Sequence, residues 1–199
     1  MKIERMITID NPDHFLMGDR IHVDHYTATC QKITRRGALF FLDQYLDDRM
    51  RMNARKTNRG GYEKSGLRKA LQSDKVLDIF KDIRDDMVPF ENGDLLRIPF
   101  AGELFGDKLP SWCERDGHKQ WPLMTDAHNR TASRCGDLEW GWLANTFRDT
   151  STNFCVVACY GAATAWSASS VLGVRPAFLI RQDEEGKKII GSEKVENVS

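Results

Sequence analysis

The residues best suited to chemistry fall into a few short clusters. His22, Asp24 and His25 are the nearest approach to a local metal set. On a strand His22 and Asp24 share one face and His25 takes the other, and a helix would lack the i, i+4 histidine pair of a metallohydrolase. His118, Asp126 and His128, with Cys113 nearby, are a second set that only tertiary folding could gather. Glu91, Asn92 and Asp94 in "ENGD" make a turn without the acidic twelve-residue loop that calcium needs. Cys155 and Cys159 sit in or at the end of an apolar strand, where a thiol behaves as a small hydrophobe, and they lie about 13 Å apart if that strand is regular. "NRGGYEKSG" lacks the lysine spacing and preceding strand of a phosphate loop. No metal and no other cofactor is expected.

Two other groups suit binding better than catalysis. Arg49, Arg51, Arg55, Lys56 and Arg59 form the clearest basic cluster, and Arg51, Arg55 and Lys56 are the candidate accessory contacts to nucleic acid. No aromatic interleaving accompanies them, so a solvated connection is the simpler reading. The tryptophans and amides of the irregular regions, Trp112, Trp121, Asn145, Asn153 and Trp166, are the candidate surface for a protein or glycan.

These residues need a scaffold, and the hydrophobic pattern predicts one of the α+β class with flanking helices and long irregular loops. "MKIERMITI" and "RIHVDHY" read as short strands, and "GALFFLDQYLDD" as a strand running into a helix. "SGLRKALQSDKVLDIFKDIRDDM" carries the longest helical period, broken near Ser73 and Asp74 into a short helix and a longer one. "DLLRIPFAGELFG" supplies a strand and a helical turn. Between Lys108 and Arg134 the chain is polar but rich in rings, as expected of a structured loop. "EWGWLAN", "NFCVVACY" and "GVRPAFLI" read as strands, with "NFCVVACY" near a sheet centre, and "GAATAWSASS" as a hairpin or loop.

Composition narrows the classes. At 199 residues, one domain over 1–182 can bury roughly two-thirds of its unfolded surface, leaving 183–199 as an added hairpin or exposed tail. Twenty-nine basic residues balance twenty-nine acidic ones, so no global field draws the chain to nucleic acid or an anionic membrane. Five cysteines without paired CxxC spacing suit free thiols in a reducing compartment. The sequence shows no signal-like apolar run and no membrane span, so we expect a soluble protein, cytoplasmic or assembled into a particle, without membrane insertion.

Read in order, "YEKSGLRKAL", "GDLLRIPFAGELFG", "WPLMTDAHNR", "WGWLANTF" and "LGVRPAFLI" resemble a widespread uncharacterised domain of bacterial and phage proteins that closes on a "GVRP-A" strand. Tyr62, Ser65, Leu67, Arg68 and Leu71 match its helix signature. Leu95, Leu96 and Glu103 match the next strand and turn, Asn129 and Arg130 a recurrent pair, Trp142 and Leu143 the tryptophan segment, and Gly173 to Ala177 the closing strand. Ala144 and Asn145 depart from the family's arginine and serine. The resemblance implies a mixed sheet similar to C-type-lectin-like and formylglycine-generating-enzyme-like domains. It also implies a phage or prophage setting and a non-catalytic interaction domain whose partner is a phage or host protein or a glycan. A particle or attachment component, an inhibitor of a host protein and an enzyme are the alternatives.

Arg175 and Pro176 bear on architecture. Proline cannot donate to a strand ladder and holds its predecessor extended, which gives Arg175 a fixed direction. We expect Arg175 to act as a clamp on a loop carbonyl or carboxylate, with Glu103 and Asp137 as candidate acceptors and Arg130 as a second structural arginine.

Overall fold

The structure, a computed structural model, describes residues 14–182. The expected strand in "MKIERMITI" and the tail after Gln182 lie outside the described residues. In chain order the strands are β1 (Arg20–Val23), β2 (Tyr26–Thr34), β3 (Gly37–Leu42), β4 (Met50–Arg51), β5 (Met87–Val88), β6 (Ser133–Arg134), β7 (Asp137–Leu138), β8 (Gly141–Thr146), β9 (Asn153–Val157), β10 (Ala163–Ser167), β11 (Val171–Leu172) and β12 (Ala177–Ile180). Four short helices accompany them: α1 (Gly66–Leu71), α2 (Asp74–Leu77), α3 (Ala101–Phe105) and α4 (Ala127–Arg130). The fold is mixed α and β, with antiparallel ladders throughout.

The main sheet runs β1-β2-β3-β12-β5 and a second runs β10-β9-β8. β3 explains why the core has two halves. Every residue of "GALFFL" is buried, and alternate side chains leave a strand in opposite directions. Ala38, Phe40 and Leu42 join one cluster, with Phe178 from β12 and Leu67, Leu71, Val76 and Phe80 from the helical segment. Leu39 and Phe41 join the other, with Leu179, Leu104, Phe105 and Trp121. β9 divides in the same way, Phe154 and Val156 to the first cluster and Cys155 and Val157 to the second. Both-sided burial is the reading its sequence gives, and β9 is the central strand of its sheet. Each such large side chain is worth about 1.5–3 kcal/mol on leaving water.

The helical segment follows its caps. The Ser65 side chain accepts from the Arg68 amide at 3.0 Å and starts α1. Ser73 stands at the N-cap of α2, which runs on into a 3-10 stretch over Asp78–Asp86. Phe80 from that stretch meets Phe178 edge to face, with centroids 5.2 Å apart.

Two local expectations are corrected and a third is made specific. No helix follows "GALFF": Tyr45 and Leu46 are buried because their amides donate to the carbonyls of Ser133 and Val174, a tertiary anchoring that mimics a helical face. "GAATAWSASS" contains β10, an edge strand paired with β9. β1 is the first arm of a hairpin, turning through Asp24 at φ 53° into the nine-residue β2.

The β2–β3 hairpin turns tightly at Arg35 and Arg36. Thr34 Oγ1 donates to the Gly37 carbonyl at 2.8 Å, and Gly37 lies at φ 142° with the Ile180 carbonyl where a Cβ would stand. Only glycine lets β12 pass there.

Candidate functional site

The site is built where a polar residue interrupts an apolar stretch. In "LLRIPF", Leu96 and Ile98 are fully buried in the first cluster, so strand-like alternation sends Arg97 to the opposite side. Arg97 is held there by a backbone pair with Ala177, donating to its carbonyl at 3.1 Å and accepting its amide at 2.7 Å. Its guanidinium reaches the carboxylate of Glu103 with both prongs, at 2.7 and 2.6 Å, and packs over the rings of Phe90 and Phe100 at 4.7 and 5.3 Å.

Glu103 comes from the first turn of α3 and is almost wholly enclosed. Its carboxylate also accepts from the Phe100 amide at 2.9 Å, closing the helix start. Three hydrogen bonds thus satisfy its two oxygens and fix the carboxylate in place.

The wall opposite is a loop carried by Asp116 and Asn145. Asp116 accepts from the amides of Gly102 and His118, both at 2.8 Å. Asn145 accepts from the Ala101 amide and donates to Glu114 O and Asp116 Oδ2, each at 2.7 Å. That frame sets the His118 ring against Phe100, with centroids 4.3 Å apart and planes 26° apart. Its Nδ1 lies 4.0 Å from Glu103, beyond hydrogen-bonding reach.

Arg97, Glu103, Phe90, Phe100 and His118 line a cavity of about 510 Å³, a size suited to a small ligand or a side chain with its neighbours. Leu39, Leu179, Phe90 and Phe100 supply its apolar surface, and Lys32, Arg35 and Arg36 from the β2–β3 hairpin its cationic rim. Arg36 is steadied by donating to the Pro89 carbonyl at 2.7 Å. Of the acidic residues lining it, Glu63 is paired with Arg68 at 2.8 Å and Glu103 with Arg97, and Glu91 is the third. Tyr62 closes one end, its phenol driven upward in pKa by burial and its oxygen accepting from the Ile98 amide at 3.4 Å.

No known family, curated protein or solved structure matches the chain.

The residues singled out from sequence are dispersed. Trp121 is completely buried, edge-on to Phe41 at 5.1 Å, and has no face left for a partner. Asn145 is likewise interior, spent on the loop frame described above. Trp112 is half-buried against Phe147. Asn153 is half-buried, its carbonyl accepting from Asn58 Nδ2 at 3.0 Å and from the Phe147 amide at 3.1 Å. Trp166 alone of the five is open, 45% exposed on β10 and edge-on to Trp140 at 4.9 Å.

The arginines divide too. Arg175 is fully enclosed; it donates to the carbonyls of Leu42 and Asn129 and lies 3.9 Å from the centroid of the Phe41 ring. It therefore binds a loop to the sheet through carbonyls, and the carboxylate partners considered for it are elsewhere: Glu103 belongs to Arg97, and Asp137 is exposed on β7. Arg130 is half-buried over Phe105 at 5.0 Å. Arg51, Arg55 and Lys56 are exposed, on a segment whose Asn58 side chain donates to the carbonyls of Phe147, Thr150 and Asn153.

The candidate metal sets do not assemble. His25 is bracketed by Asp24 at 2.8 Å and Asp47 at 3.0 Å, while Asp126 caps α4 through the His128 amide at 2.9 Å. His118 and His128 line different cavities. Asp94 of "ENGD" is buried against Arg68. Among the described residues no group of three His, Cys, Asp or Glu could hold a metal ion, and no helix is long and apolar enough to cross a membrane.

Sequence reasoning passed over Arg97 and the hairpin cations. The signal for Arg97 was a charge inside "LLRIPF" followed six residues later by Glu103 in a helical turn. Nothing local marks Lys32, Arg35 and Arg36, which face the cavity only because β3 pairs with β12.

Proposed function

We propose that this chain is a non-catalytic binding domain whose cavity takes an acidic peptide segment of a partner protein, inserting one bulky apolar side chain between Phe90, Phe100, Leu39 and Leu179. The observation that carries this reading is the distribution of charge. The floor is neutralised internally by Arg97 and Glu103, and the rim presents Lys32 and Arg36 around an aromatic-lined opening. Such an opening rewards an apolar anchor with carboxylates beside it. The ordered motifs from Tyr62 to Ala177 support a bacterial or phage setting and a C-type-lectin-like relationship as part of the same proposal. Within that setting, a host or phage protein is the partner class.

A panel of immobilised peptides with Phe, Leu or Trp flanked by Asp and Glu tests the reading on the full chain. Acidic peptides should bind, weaken with added salt, and lose at least tenfold in affinity to a Lys32→Glu/Arg36→Glu variant that keeps its unfolding midpoint. Binding indifferent to that double reversal would overturn the assignment of the cavity.

The exposure of Trp166 favours one second reading, a glycan platform formed by its ring and that of Trp140, with Leu138 and Val171 exposed nearby. Glycan-array binding lost in Trp166→Ala and kept in the hairpin reversal would select it.

A further inference from the structure

The sequence invites a comparison of Cys155 with Cys159, but Cys155 faces a different thiol. Cys113, forty-two residues away in sequence, brings its sulfur to 2.7 Å from Cys155 Sγ. Both side chains are completely buried in the second core cluster. The approach is set by backbone: Cys113 bridges to Phe147 just beyond β8, and the Glu114 amide donates to the Thr146 carbonyl at 3.1 Å. Cys155, on the adjoining strand β9, points to the same side and directs its sulfur toward the Thr146 carbonyl at 3.4 Å. From this separation a small closing movement reaches the disulfide bond length of about 2.05 Å.

We propose that Cys113 and Cys155 are a disulfide-forming pair, oxidised by a small-molecule disulfide such as oxidised glutathione. One protein thiolate attacks the reagent, forming a mixed disulfide and expelling one glutathione thiolate. The second protein thiolate then attacks the protein sulfur, the new bond joins Cys113 to Cys155, and a second glutathione leaves. Two protein thiols lose two protons and two electrons, and one glutathione disulfide becomes two glutathiones.

Burial governs when this happens. With both sulfurs closed from solvent, a reagent reaches them only when the segment around Cys113 lifts from β8 or before the chain has folded. The contact with the Cys113 sulfur, and burial after it, also push the Cys155 thiol far up in pKa, so the closed form contains little thiolate. Once made, the bond is screened from reductants by the same packing. Its placement has a bearing on the cavity, because Cys113 begins the segment that carries Asp116 and His118.

The test uses the full chain, incubated folded with oxidised glutathione and, in parallel, refolded from denaturant in its presence. Free thiols are then alkylated under denaturing conditions and the peptides mapped by mass spectrometry. Before alkylation the expected product is about 2 Da lighter than the reduced chain, and after it the map shows linked Cys113 and Cys155 peptides with alkyl groups on Cys30, Cys135 and Cys159. Refolding should yield it faster than incubation of the folded chain. A Cys135→Ser/Cys159→Ser variant should form the same link, which keeps the test independent of whether Cys113→Ser or Cys155→Ser folds. Alkylation of both residues in both arms, or a link from either to another cysteine, would overturn the proposal.

Discussion

Arg97 and Glu103 meet through both guanidinium prongs and both carboxylate oxygens, at 2.7 and 2.6 Å, in a setting almost closed to water. Removing one partner leaves a buried charge unanswered. Glu103→Ala should lower stability by about 3–5 kcal/mol, whereas Arg97→Met with Glu103→Leu should recover much of that loss, since breaking a buried pair costs more than replacing it. Urea unfolding of Arg97→Met, Glu103→Leu and their combination reads the coupling directly, and additive losses would contradict the pairing.

Arg175 carries its charge to the core without a carboxylate contact. Burial brings its pKa down to about 10, still well above neutrality, so the guanidinium stays charged and depends on the Leu42 and Asn129 carbonyls and the Phe41 face. Arg175→Lys keeps the charge but not the planar fork, and should cost about 2–3 kcal/mol through the lost carbonyl contacts and the stacked face. Faster amide exchange should follow in the Asn129 segment. Stability equal to wild type would remove Arg175 from its role as a clamp.

The hairpin turn between β1 and β2 should respond to pH through His25. Its pKa is raised above 6.5, first by the hydrogen bond to Asp24 and further by Asp47. A raised folded pKa means the contribution is fully present below the unfolded value of 6.5 and disappears as pH climbs through the higher folded value. Proton NMR of the ring should give a titration midpoint above 6.5, and Asp24→Asn with Asp47→Asn should move it downward. The ring is largely exposed, so the effect belongs to the hairpin and should fade in salt.

Gly141 and Tyr45 define a contact with no spare volume. A Cβ on Gly141 would overlap the Tyr45 ring and hydroxyl, both enclosed in the core. Gly141→Ala should therefore cost about 1–3 kcal/mol by overpacking, and adding Tyr45→Leu should relieve part of it. Thermal melts of the single and double variants measure the exchange.

What could be read from the chain and what could not divides along the range of the interactions involved. "GALFF", "NFCVV" and "AFLI" announce strands because continuous apolar runs and β-branched or aromatic residues are local signals. The break near Ser73 was legible for the same reason, since it interrupts the apolar period locally, the Ser73 hydroxyl turning back to donate to the Ala70 carbonyl at 2.6 Å. The face chosen by Trp121 was not, because nothing within ten residues of it says that Phe41 waits opposite. Tyr45 and Leu46 kept helical spacing while being pinned by Ser133 and Val174, so periodicity misled where tertiary hydrogen bonds set the path. The cavity was hidden more deeply still: its floor, rim and lid come from β2–β3, the 90–103 segment and His118, which meet only after strand pairing.

The place of β12 sets an order on events during synthesis. It enters between β3 and β5, and its partners Ala38 to Phe41 leave the ribosome well over a hundred residues earlier. Until Ala177–Ile180 emerges, β3 has a bare hydrogen-bonding edge flanked by some of the most apolar side chains in the chain. A nascent or truncated polypeptide ending before that strand should therefore be a client for chaperones and a seed for aggregation, however complete its other elements are.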